Sequence, residues 1–145
     1  MDFAKLENVF IVRLDKGEEI VESLKQFCKK HQIKAGIVGG IGAVSKVELK
    51  FFFPENKKYE ERAFSGDFEI LSLAGNISQL IKAPFLHLHI MLGNSQYGCI
   101  GGHLTSAIVS ATFEACILVL KGRLERSFDE KIGLKMPHFN ADVVL

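Results

Sequence analysis

The sequence predicts an α+β domain with a mainly antiparallel sheet and one main amphipathic helix. Three observations lead there: several β-branched and aromatic runs of strand length, one segment whose apolar residues recur at helical spacing, and glycine-rich or polar breaks between them. At 145 residues the chain has the length of one domain, so a single unit over 1–145 is expected. Its 48% hydrophobic and 24% charged residues fit a chain that folds around a core, not a disordered one.

The first run, "NVFIVRL" over 8–14, reads as a strand. In the following "DKGEEIVESLKQFCKKHQI", Ile20, Val21, Leu24, Phe27 and Cys28 fall on one helical face, with Glu18 and Glu19 near its start and Lys29 and Lys30 near its end, as the helix dipole favours. Two apolar strands are expected next, over 35–39 and 43–52, bent or joined at a glycine cluster. Gly40 and Gly42 begin a G-x-G pattern, but Ser45 stands where a dinucleotide fingerprint needs its third glycine and strand-like residues follow, so no organic cofactor is expected. A tight turn, a bulge or a close backbone approach is the expected role of these glycines.

"PENKKYEERAF" reads as a polar connection or edge hairpin, and "GDFEILSLAGNIS" as a strand broken at Gly75-Asn76. A long β-rich stretch, "HLTSAIVSATFEACILVLKGRLERSF", is interrupted at Gly122.

Charge and cysteine content set limits on function. Eighteen basic and 17 acidic residues give a net charge of +1, which supplies no strong field toward nucleic acid or an anionic membrane. Cys28, Cys99 and Cys116 are odd in number and lack a C-x-x-C pair, as expected of reduced thiols packed as small core residues. With no secretory pattern at the start and no apolar run near the roughly 18 residues that cross a bilayer, a cytoplasmic protein without a membrane partner is expected.

Three of the five histidines fall in "PFLHLHIMLGNSQYGCIGGHL", residues 84–104. If F-L-H-L-H-I-M-L is a strand, Leu86, Leu88, Ile90 and Leu92 share the core face, and His87 and His89 project together from the other, about 6.5–7 Å apart at the backbone. The turn signal "GNSQYG" is centred near position 96, midway between 89 and 103, so a hairpin without a bulge places His103 opposite His89, with Cβ atoms about 4.5–5.5 Å apart on the same face.

Three imidazoles at metal–nitrogen distances of about 2.0–2.1 Å suit a divalent ion, zinc first, and leave a position for water or substrate. Iron, nickel and copper accept the same donors. The alternative is that the histidines are hydrogen-bonded core or interface residues. Gly101 and Gly102 leave room for a ligand or another backbone. Glu69 and Glu114, carboxylates within apolar strands, are the candidate catalytic acid/base residues or partners of a histidine, or else edge residues facing water. His31 and His138 lie in polar surroundings and are not candidates.

The motifs "RLDKGEEI", "GGIGAV", "FEILSLAGNIS", "HLHIML" and "GGHL", taken in this order, resemble the PPC (plant and prokaryote conserved) domain family, also described as PD1-like candidate DNA-binding proteins. The resemblance implies a curled, mainly antiparallel sheet related to the acetolactate decarboxylase-like fold, and a homotrimer. It is to the prokaryotic stand-alone type, because plant relatives carry an AT-hook and lack the three histidines.

In that fold family the decarboxylase and a zinc-dependent ester hydrolase bind metal through an H-x-H pair and a later histidine, which correspond here only to His87, His89 and His103. Two functions are therefore expected to compete. One is a DNA-binding or regulatory protein with a three-histidine zinc site in a trimer. The other is a small metal-dependent hydrolase or lyase acting on a carbonyl-containing small molecule. A third reading makes the histidines packing residues of an assembly module.

Overall fold

The computed structural model describes residues 1–139. Strand β1 (Asp2–Leu6) and β2 (Val9–Asp15) lead into helix α1 (Ile20–Lys30). There follow β3 (Gly36–Phe53), β4 (Lys58–Leu80), β5 (Ala83–Gly93), β6 (Cys99–Val119), β7 (Glu125–Asp129) and β8 (Leu134–His138). The fold is α+β with a mostly antiparallel sheet and one helix, as the sequence predicts.

The sheet order is β1-β2-β6-β3-β4-β7-β8, with β5 paired to both β4 and β6. Because β3 also pairs with β4 and β6, the strands β3, β4, β5 and β6 close a circuit, and the sheet curls around one core. Among the described residues the single parallel contact joins Gln79 of β4 to Glu125 of β7.

Helix α1 forms where expected. Glu19 is its N-cap, and the Glu19 carboxylate accepts from the backbone N–H groups of Val21 at 3.1 Å and Glu22 at 2.5 Å, satisfying donors that the first turn leaves free. The same carboxylate accepts from the Ala107 N–H at 2.9 Å, which ties the helix start to β6. Ile20, Val21, Leu24, Phe27 and Cys28 are its buried residues and pack with the inner sheet face in one cluster. Burial of each large apolar side chain contributes about 1.5–3 kcal/mol, which outweighs the modest propensity of an 11-residue helix.

Several expectations are corrected. The two strands expected around the glycine cluster are one strand, β3, whose register shifts between Gly40 and Gly42 and again between Val44 and Lys46. The expected bulge is therefore present within a continuous ladder. Strand β4 runs through Gly75-Asn76 without a break. A Cβ at position 75 would lie 2.0 Å from the His87 carbonyl oxygen, so glycine here permits close approach of β5 and does not form a turn.

The polar segment near 54–57 is a hairpin connection, with Phe53 paired to Lys58. Strand β7 falls in the β-rich stretch expected beyond Gly122, whereas two elements are not expected from the sequence: β1, entirely exposed and held by pairing with β2, and β8, the partner of β7. Of the cysteines, only Cys28 is buried; Cys99 and Cys116 are exposed rather than core residues. Among the described residues no helix is long and apolar enough to cross a membrane.

Candidate metal centre

Strand β5 alternates as its sequence requires. Leu86, Leu88, Ile90 and Leu92 are buried, and His87 and His89 stand on the outer face, half-buried and exposed respectively. The turn after Gly93 is held by Asn94, whose side-chain oxygen accepts from the N–H of Gln96 at 3.0 Å and of Gly98 at 2.9 Å. That turn sets an unshifted register over 89–93 and 99–103, and His103 is the direct partner of His89. Gly101 admits the approach of β5: a Cβ there would lie 2.6 Å from the Ile90 carbonyl oxygen.

The three imidazoles converge. One nitrogen from each of His87, His89 and His103 lies within 4.8 Å of the others. The Nε2 atoms of His87 and His89 are 3.2 Å apart. Two donors bound to one tetrahedral ion stand roughly 3.3 Å apart, given bonds of about 2.0–2.1 Å, so the pair has the separation a shared ion needs.

Two of the rings, His87 and His103, favour the neutral form in which imidazole ligates. Burial pushes the His103 imidazole down to about 4, and His87, His89 and Lys50 act in the same direction. Burial also lowers the His87 pKa, with the charges of Arg126 and His89 adding to it. Neutral rings carry lone pairs for a metal and do not repel it.

Around the cluster the surroundings are cationic and aromatic. Lys50 of β3 is the cross-strand partner of His103 and is paired to Glu61 at 2.7 Å. The Tyr59 ring lies 6.0 Å from that of His103. Asn76 of β4 stands opposite His87, and its side-chain oxygen accepts from Arg126 Nη2 at 2.8 Å. The β7–β8 ribbon thus lies beside the histidines and, with His87 and His103, lines a cleft of about 420 Å³.

The candidate acid/base residues are not brought to this place. Glu69 is exposed and pairs with Gly93, four residues along β5 from His89, about 13 Å at the rise of a strand. Glu114 is exposed and stands between Arg13 of β2 and Ile41 of β3. Both occupy the solvent side of strands whose neighbours Ile70, Phe113 and Ala115 face the core. The residues that sequence reasoning missed are Lys50, Tyr59, Asn76 and Arg126, which only the cross-strand registers bring near the histidines.

A closed, mostly antiparallel circuit with one packed helix and three imidazoles gathered on its outer face defines a small histidine-cluster α+β protein. The chain belongs to the Plants and Prokaryotes Conserved (PCC) domain family, whose family model matches residues 1–121. A candidate DNA-binding protein from Bacteroides thetaiotaomicron is 37% identical, with a TM-score of 0.93 over 95% of this chain and 96% of that one.

A metal-containing protein from Archaeoglobus fulgidus is 35% identical, with a TM-score of 0.87 over 96% and 99%. A plant- and prokaryote-conserved protein from Pyrococcus horikoshii is 30% identical, with a TM-score of 0.83 over 96% and 94%. Among curated proteins the chain matches the bifunctional protein GlmU of Synechococcus sp. (strain JA-3-3Ab), at 27% identity over 128 residues; the match covers 86% of this chain and only 19% of that protein.

Proposed function

We propose that this protein is a metal-binding PPC-domain protein in which His87, His89 and His103 hold one divalent ion, zinc first, with positions left open to a small molecule. The observation that carries the reading is the convergence of three imidazole nitrogens within 4.8 Å on one face. The Archaeoglobus relative, described as metal-containing, supports it. When bound, the ion supplies Lewis acidity toward a carbonyl or a water molecule.

The chain's own residues orient and enclose: β5 and β6 fix the three rings, and the ribbon and Tyr59 wall one side of the cleft. In this reading the protein is a small hydrolase or lyase, akin to the acetolactate decarboxylase-like fold, and its proton-transfer group is sought near the cleft rather than at Glu69 or Glu114. It assembles as a homotrimer, to which the exposed apolar side chains Ile37, Ile41, Leu71 and Met91 contribute.

A second reading, a DNA-associated regulator, is favoured by the name of the Bacteroides relative. A gel-shift series across salt tests it, since phosphate contacts weaken steeply as salt rises and a near-neutral chain must concentrate them in a patch. No retardation at low salt removes that reading.

Elemental analysis of purified protein, combined with native mass measurement, tests the metal centre and the trimer together. About one ion per chain is expected, lost in His103→Ala with the assembly mass unchanged. Protein that refuses added zinc, or a His103→Ala variant that keeps its full metal content, overturns the assignment.

A further inference from the structure

Among the described residues Arg126 is a buried cation without an anion. It is 8% exposed, and its donors go to Ser78 Oγ at 2.8 Å, Asn76 Oδ1 at 2.8 Å and the Lys135 carbonyl at 2.6 Å. All three acceptors are neutral, and among the described residues Arg126 forms no ion pair. Arginine does not give up its proton, and a buried charge is costly unless an opposite charge meets it. The neutral acceptors orient the guanidinium but leave its charge uncompensated.

The surroundings deepen the imbalance. Lys50, Arg126 and Lys135 line one cleft with His87 and His103, and among the described residues no acidic side chain lines it. Glu61 offsets only Lys50, at 2.7 Å. Lys135 and Arg126 both lie over the Phe85 ring, at 5.8 and 5.1 Å from its centroid, so two cations share one wall. A divalent ion on the three histidines adds further positive charge, and an anion seated between ion and ribbon relieves the repulsion.

We propose that this cleft binds a small organic carboxylate, placed between Arg126 and the ion that His87, His89 and His103 hold. The proposal rests on the metal-centre reading and names the class of its ligand. Arg126 has used three N–H groups, one from each nitrogen, which leaves one on Nη1 and one on Nη2. Two donors on one planar fork match the two oxygens of a carboxylate. The Phe85 and Tyr59 rings suit a carbon skeleton better than a bare inorganic ion.

Calorimetric titration of oxalate, acetamide and inorganic phosphate into metal-free and zinc-loaded protein tests this, with Arg126→Gln and Lys135→Gln as variants. Oxalate should bind the zinc-loaded chain, the neutral acetamide should not, and Arg126→Gln should weaken oxalate by about tenfold or more at unchanged zinc content. Lys135→Gln, at an exposed side chain, should weaken it by about threefold.

Equal oxalate affinity in the wild type and Arg126→Gln overturns the proposal, and tighter binding of phosphate than of oxalate overturns the carboxylate assignment. Should Arg126→Gln fail to fold, Lys135→Gln decides: unchanged affinity overturns the proposal, and the threefold loss upholds it. If the chain takes up no zinc, the metal-centre reading falls by itself and the metal-free titration decides. Arg126-dependent oxalate binding there upholds the anion site, and its absence overturns it.

Discussion

The His87 carbonyl oxygen lies 2.0 Å from the point where a side chain on Gly75 would begin. Strands β4 and β5 are therefore packed backbone to backbone beside the histidine pair. Gly75→Ala should force them apart, cost about 2 kcal/mol or more in urea unfolding, and lower metal occupancy by displacing His87. Unfolding midpoints and metal contents equal to those of the wild type would contradict this packing.

Acid should destabilise the metal-free chain in a defined window. His103 titrates at about 4 when folded and near its ordinary 6.5 when unfolded. As pH falls through 6.5 the unfolded chain takes up a proton that the folded chain refuses, so stability declines from there and levels off below about pH 4. The loss is on the order of 2 kcal/mol after allowance for solvent screening. Urea melts at pH 7, 5.5 and 4 read the slope, and His103→Ala should flatten it; an equal slope in the variant removes His103 as its source.

Glu19 joins three backbone N–H groups, two in the helix and one in β6. Glu19→Ala leaves the Ala107 donor without its partner as well as uncapping α1, and should cost about 2 kcal/mol, more than the usual cap alone. Glu19→Gln keeps one acceptor oxygen and should lose less. Equal losses in the two variants, measured by thermal unfolding, would show that acceptor number is not what matters.

Thiol labelling should separate the cysteines. Cys99 and Cys116 are exposed and should react in native protein, whereas burial pushes the Cys28 thiol up to about 12 and shields it. Two rapid equivalents followed by a third on unfolding is the expected pattern. A third rapid equivalent would contradict the packing of α1 against the sheet.

The geometry of the histidine cluster was legible because it depends on local periodicity. Strand alternation put His87 and His89 on one face, and the centre of the Asn94 turn fixed His103 against His89. Helix α1 was legible for the same reason, its buried set being the one its spacing names.

Arg126 was not legible. It meets Asn76 across 50 residues through one parallel bridge, and no local pattern encodes such a contact. Glu69 and Glu114 have apolar neighbours in sequence but not apolar surroundings. In a strand the next residue faces the other way, so a charge beside Ile70 or Phe113 is where water is expected. Gly75-Asn76 carries a turn composition, yet its glycine answers a clearance between strands and its asparagine a guanidinium.

The circuit of β3, β4, β5 and β6 has a thermodynamic consequence for whatever ion it meets. All three imidazoles are carried on strands that hydrogen bonds on both sides already hold, so the ordering entropy of the site is spent during folding. Zinc fingers differ, since their ligands are gathered only when the metal arrives. In this protein chelation should leave a standing scaffold, and an added ion should raise the melting temperature only by mass action, in proportion to the logarithm of its free concentration over its dissociation constant.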